Sequence, residues 1–178
     1  MALQDTLSGC DIEMDAREVE AFFIGCLTAD DPMPYPKAIK ELFLEETKVP
    51  VSFTSPDARK LLEKDLSALW KELEKGLDKR RKNLLVIDRK DLKEEMVAVG
   101  RLGDFFLMGL TLAGMSVDDE DSEVGELLDE MEDHLLLMDE WVADGVDRLD
   151  QDVWLEEGRK YRRELSELWS ELQDALDV

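Results

Sequence analysis

Residues 55–82 read SPDARKLLEKDLSALWKELEKGLDKRRK, and this stretch decides the fold class. Ser55 offers an N-cap hydroxyl, Pro56 a ring suited to the first helical position, and Asp57 an early acid beside the positive end of the helix dipole. Behind them Leu62, Leu66, Leu69, Leu73 and Leu77 step by three or four, forming one stripe of an amphipathic helix. The stretch closes on Lys79-Arg80-Arg81-Lys82, cations that suit the negative end of the dipole. The same run could be a nucleic-acid patch. However, Glu72, Glu74 and Asp78 lie beside it with Trp70 as the sole aromatic, so a helix terminus is the better account.

Working outward, all five prolines fall within residues 32–56, and from Asp57 onward apolar residues recur at helical spacing. Upstream, a helix is expected over about 15–28 and a short one over about 36–46. Downstream, Asp88 is expected to cap a helix over 89–115. A further helix over 120–144 carries Val124, Leu128, Met131, Leu135, Met138 and Val142 on one face. A last one over 151–177 carries Trp154, Tyr161, Leu165, Leu168, Leu172 and Leu176. Acids at Asp118, Asp119, Glu120 and Asp121 precede the fifth of these helices, as the dipole prefers. Only Leu84-Leu85-Val86-Ile87 looks strand-like, and one strand makes no sheet. The expectation is an all-α, single-domain bundle of six helices, with residues 1–14 a flexible N-terminal segment. An internal echo stands out. Phe22-Phe23-Ile24-Gly25-Cys26-Leu27-Thr28 resembles Phe105-Phe106-Leu107-Met108-Gly109-Leu110-Thr111, as if two glycine-bearing helices cross in the core.

Charge narrows the partners. The chain has 178 residues and a net charge of −23. Residues 57–101 carry 13 basic and 10 acidic side chains, whereas 118–178 carry 5 basic and 23 acidic. Phosphate backbones and anionic membrane surfaces are bound by cations, so nucleic acid and membrane are excluded as expected partners. The acidic C-terminal third suits a basic partner protein; solvated helix faces that maintain solubility are the alternative. The longest uncharged stretch, 105–117, is too short to span a bilayer. The start lacks the basic and apolar regions of a secretory signal, and Cys10 and Cys26 form no CxxC, so a cytoplasmic protein with free thiols is expected.

Catalytic and metal motifs fail on their spacing. His134 is the single histidine, and Met131 stands where a Glu-x-x-His metal motif needs glutamate. An EF-hand register ending at Glu130 has Val124 where glycine is required. Neither cysteine has a histidine nearby, and no glycine-rich phosphate loop occurs. No metal, no cofactor and no enzymatic activity are expected. Leu135-Leu136-Leu137-Met138 followed by Trp141 is more informative. Four apolar residues in a row wrap more than half of a helix, so either this helix is central or part of it is a binding surface. Trp169 with Leu165 and Leu172 is a second possible anchor, core packing being the alternative.

Several of these motifs resemble the YecA/YgfB-like family. The first signature is matched by Glu20-Ala21-Phe22-Phe23-Ile24-Gly25-Cys26-Leu27 with Ala38-Ile39-Lys40-Glu41-Leu42-Phe43. Phe53-Thr54-Ser55-Pro56-Asp57-Ala58 is similar to the start of the next family helix, and Phe106-Leu107-Met108-Gly109-Leu110 to the second signature. Leu155-Glu156-Glu157 with Tyr161 and Arg163 fits a late helix of the YgfB branch. The chain departs from the pattern at Glu20-Ala21 and at Leu102, where tryptophan is usual, and has no cysteine after Cys26 to support the zinc module of some members. The resemblance implies an all-α, cytoplasmic bacterial protein without established catalysis. A weaker resemblance runs to the TorD-type chaperones of molybdenum enzymes, which bind twin-arginine signal peptides. It rests on Glu130, Asp133, His134 and Leu135, then Leu165, Leu168 and Trp169, with Met131 replacing the usual proline.

The expected function is non-catalytic: binding a protein or peptide partner, basic in character, through the acidic and partly apolar C-terminal helices. Glu130, Asp133, His134, Leu136, Leu137 and Trp141 are the candidate contact residues. Charge would steer the partner and the aromatic would anchor it.

Overall fold

The computed structural model describes residues 2–10, 12–43, 56–87, 89–115, 122–144 and 151–177. Among the described residues seven helices follow in the order α1 (Ala2–Gly9), α2 (Ala16–Thr28), α3 (Tyr35–Leu42), α4 (Pro56–Lys82), α5 (Leu92–Leu112), α6 (Glu123–Asp144) and α7 (Gln151–Leu176). There is no strand among the described residues, so the fold is all-α. Leu84 and Leu85, from the strand-like run, sit buried in the turn between α4 and α5.

Helix α1, the one beyond the six expected, corrects the expectation at the N-terminus. Instead of a flexible segment, α1 packs on α4 through buried Leu7 and a hydrogen bond from Thr6 Oγ1 to Asp65 Oδ2 at 2.7 Å. Ile12 and Met14 continue into the core, and the side-chain Oε1 of Gln4 accepts from Ala16 N at 2.8 Å. The segment lacks a long periodic stripe, so its burial was invisible to pattern reading.

Helix ends follow local chemistry. The Asp15 carboxylate accepts from Arg17 N and Glu18 N, and the Glu18 carboxylate accepts in return from Asp15 N, a complete capping box. The cap of α5 is Asp91, whose Oδ1 accepts from Glu94 N at 3.0 Å, so the helix starts later than expected; Asp88 itself lies outside the described residues. The helix also stops sooner, at a Schellman turn. Gly114 takes φ +102°, its N–H donates to Thr111 O, and Met115 N–H donates to Leu110 O. The proposed Ser55 cap and the acids 118–121 fall outside the described residues.

Helices α2 and α5 make the broadest contact in the fold, and the echo explains it with a shift of one residue. A Cβ added at Gly25 would lie 2.2 Å from Phe106 O and 2.9 Å from Leu110 N. A Cβ at Gly109 would lie 2.2 Å from Phe22 O and 3.0 Å from Cys26 N. Each glycine therefore seats against the residues three before and one after its counterpart. The structural match is Gly25 to Gly109 and Phe22 to Phe106, not Phe22 to Phe105. Side chains here would force the backbones apart, which justifies glycine despite its cost of about 1 kcal/mol in a helix.

The cations ending α4 do more than match a dipole. Arg80 pairs with Glu20 of α2 at 3.1 Å, while Arg81 and Lys82 both reach Asp177 just past α7. Arg81 is buried, and its Nε donates to Gln173 Oε1 at 2.7 Å. The run thus clamps α4 to α2 and α7.

Candidate partner-binding surface

Helix α6 has two faces with opposite character. Leu128, Met131, Leu135, Met138 and Trp141 point inward and are buried. The helix carries nine acidic residues and no Lys or Arg, and the acids on its outer turns leave that face uniformly negative. Against this background Leu136 and Leu137 are 58% and 43% exposed, although both are large and apolar.

The six candidate residues therefore divide. Glu130, Asp133, Leu136 and Leu137 share the exposed side of α6. Trp141 does not, and its expected role as a surface anchor is corrected. Its indole stacks on Trp154 of α7 with centroids 4.0 Å apart and planes 11° from parallel. Trp141 Nε1 donates to Trp154 O at 3.0 Å, and Trp154 Nε1 donates to Trp141 O at 3.4 Å. Gly158 makes room for the ring, since a Cβ there would fall 2.2 Å from Trp141 Cζ2. The pair is a lock between α6 and α7, with both donors satisfied as burial demands.

His134 also turns inward. Its Nε2 lies 2.8 Å from Tyr161 O and its ring meets the Tyr161 ring edge-on, so it joins α6 to α7 beneath the surface. Trp169, the second possible anchor, is buried with its ring edge-on to Phe106 at 5.0 Å. Sequence periodicity placed these residues on the right helices. It could not separate the three-residue run Leu135-Leu136-Leu137 into its buried and exposed members.

The negative field extends from α6 onto α5. Asp104 is solvent-exposed, yet partial desolvation by its neighbours, together with the Asp139 and Glu132 carboxylates of α6, pushes its pKa up to about 6, with Arg101 opposing. Elsewhere, Glu18 is buried beside Arg101 at 2.6 Å, and desolvation still raises its pKa. Burial pushes the Cys26 thiol up to about 12, so thiolate chemistry is closed to it at neutral pH. Cys10 and Cys26 are both free and buried. Among the described residues no group of three His, Cys, Asp or Glu side chains is placed to hold a metal ion, and no helix is long and apolar enough to cross a membrane.

Compared with known proteins, the chain matches no family model, no curated protein and no solved structure.

Proposed function

We propose that the protein is a non-catalytic interaction protein that takes a basic, partly apolar protein segment onto the outer face of α6. The observation that carries this reading is the pairing of exposed Leu136 and Leu137 with a helix of nine acids and no base. A partner of this kind is drawn in by charge and held by the two leucines. Burying what remains exposed of each leucine contributes about 1 kcal/mol. The pair is then worth roughly 30-fold in affinity. The family resemblance to YecA/YgfB-like proteins accords with this reading. So do the two unpaired buried thiols, which suit a reducing cytoplasm. The TorD-like alternative draws less support, because His134 is engaged beneath the surface while Glu130 and Asp133 stay outside.

The test is a parallel capture of partners from native cytosol by the unaltered protein, a Leu136→Ser/Leu137→Ser variant and a Glu130→Lys/Asp133→Lys variant. One stoichiometric partner, lost by both variants while their circular dichroism and melting stay unchanged, is the expected result. Raised salt should weaken the capture, because the charges are exposed and screened. A partner retained by both variants places the site elsewhere, and no partner at all removes the reading.

A further inference from the structure

Helix α4 carries a second charge-segregated face, opposite in sign to that of α6. At about 100° per residue, Lys60, Lys64, Lys71 and Lys75 fall within an arc of about 60°, ahead of the break in the helix at Gly76. All four are exposed, and none has an ion-pair partner among the described residues. The acids between Lys60 and Lys75 stand outside that arc and are engaged within the chain. Glu63 pairs with Arg59 and Glu72 with Arg80, while Asp65 accepts from Thr6 Oγ1 and Glu74 from Trp70 Nε1. Asp57 and Asp78 enter the arc only beyond its two ends. The lysine row is interrupted once, at exposed Ala68, and Leu61, 49% exposed, lies two turns before it on the same side.

The acidic face of α6 repeats this spacing. Glu126, Glu130, Asp133 and Glu140 are exposed within an arc of about 80°. Their row is interrupted once, at exposed Leu137. Asp133 and Glu140 stand four residues before and three after Leu137, and Lys64 and Lys71 stand four before and three after Ala68. Seating Leu137 over the small Ala68 side chain therefore sets each acid against a lysine. The match holds to within one residue, about 1.5 Å, whichever way the two helices run. The rows are also equal in length, about 22 Å for the lysines and about 21 Å for the acids. Both are exposed in the same molecule, so neither covers the other. Helix α4 packs mainly on α1 and α2, and α6 on α5 and α7.

Granted that the outer face of α6 takes a basic segment, we infer that this segment is the α4 face of a second copy of the chain. The contact is heterologous, because it joins two different faces and leaves each copy one face of each kind. The net charge of −23 opposes association at long range. At physiological ionic strength, however, exposed charges more than about 8 Å apart are largely screened, whereas the matched rows meet directly.

Sedimentation equilibrium of the full chain at physiological salt, up to millimolar concentration, provides the readout. The average mass should rise with concentration and fall back toward one protomer at high salt, where the exposed pairs are screened. Lys64→Glu/Lys71→Glu and Glu130→Lys/Asp133→Lys each reverse one row. Each should weaken self-association by about tenfold or more, with circular dichroism unchanged. Since each variant retains the row that the other has lost, an equimolar mixture of the two should associate again. Lys64→Arg/Lys71→Arg keeps the charges and should associate like the unaltered protein. A single protomer at every concentration overturns the inference and leaves the α6 face to a basic segment of another protein, which the capture experiment reads separately. Self-association that survives either charge reversal, or a mixture that stays apart, overturns it as well.

Discussion

Two apolar runs in this chain meet opposite fates. At the crossing of α2 and α5, Phe22 to Cys26 and Phe106 to Leu110 are shut against one another so closely that neither glycine has room for a methyl group. On α6, Leu136 and Leu137 belong to an equally apolar run but remain exposed among carboxylates. The residues between the apolar ones decide the difference. Small, uncharged Gly25 and Gly109 let whole backbones approach. Asp129, Glu130, Glu132, Asp133, Asp139 and Glu140 instead turn one face of α6 to water and carry the leucines of that face with them. An apolar run is a core element only when its neighbours permit contact on the same side.

The crossing is where a single substitution should do most harm. Gly25→Val places a side chain against the Phe106 carbonyl, and neither backbone can yield cheaply. A loss of about 4 kcal/mol or more is expected, lowering the melting temperature by roughly 8–16 °C for a chain of this size. Gly9→Ala is the control, because a Cβ there meets nothing within 4 Å; it should change stability by less than about 0.5 kcal/mol. Pairing Gly25→Ala with Gly109→Ala sharpens the test. Once one methyl has separated the helices the second finds space, so the pair should cost less than its parts combined. Strict additivity in thermal unfolding would mean the two contacts are independent and the reciprocal crossing is wrong.

Next in size is the lock between α6 and α7. Trp141→Leu removes the stack on Trp154, the hydrogen bond from Trp141 Nε1 to Trp154 O and the fit against Gly158, while the backbone carbonyl that accepts from Trp154 Nε1 stays. About 3 kcal/mol should be lost, read as a lower urea midpoint with a nearly unchanged slope. If Trp141→Leu unfolds like the unaltered protein, that ring is a surface element after all.

The positions of six of the helices were legible in the sequence, since periodic leucines, the single proline-rich segment and terminal charges mark them locally. The helix α1 was not, because eight residues with no repeated stripe give pattern reading little to work on. The cap at Asp91 was missed for a different reason: three residues away, Asp88 has the same side chain. The echo was visible, but pairing Phe22 with Phe105 put the register one residue off. Only the reciprocal clash distances fix it. The acidic character of the candidate surface was fully legible as charge. The split between Trp141 and Leu137 was not, being a matter of which neighbour α7 presents.

On the exposed side of the comparison, Leu137→Ser should leave the urea midpoint almost where it was, within about 0.5 kcal/mol. It converts an exposed leucine on a solvated face and opens no cavity. A loss near that of Trp141→Leu would show that the outer face of α6 is covered by the protein itself.

The smallest effect concerns the electrostatic seam between α5 and α6, and its sign is the informative part. Asp104, though exposed, is pushed up to about 6 from an ordinary value of 3.8, by partial desolvation first and then by Asp139 and Glu132. Between pH 6 and pH 4 the folded protein therefore holds this proton while the unfolded chain releases it. The group destabilises the fold fully above about pH 6, and that penalty fades as the pH falls toward 4. Asp104→Asn removes the charge at nearly constant shape, so the variant should melt higher than the unaltered protein at pH 7. At pH 4, where both carry a neutral side chain in the folded state, the difference should nearly vanish. Taking the difference between the two proteins cancels the titration of the other carboxylates. A gain of equal size at both pH values would trace the effect to packing, and a loss at pH 7 would mean that Arg101 outweighs the carboxylates of α6. The acidic face would then be less strained than its charge suggests, and a basic partner would have less repulsion to relieve on binding there.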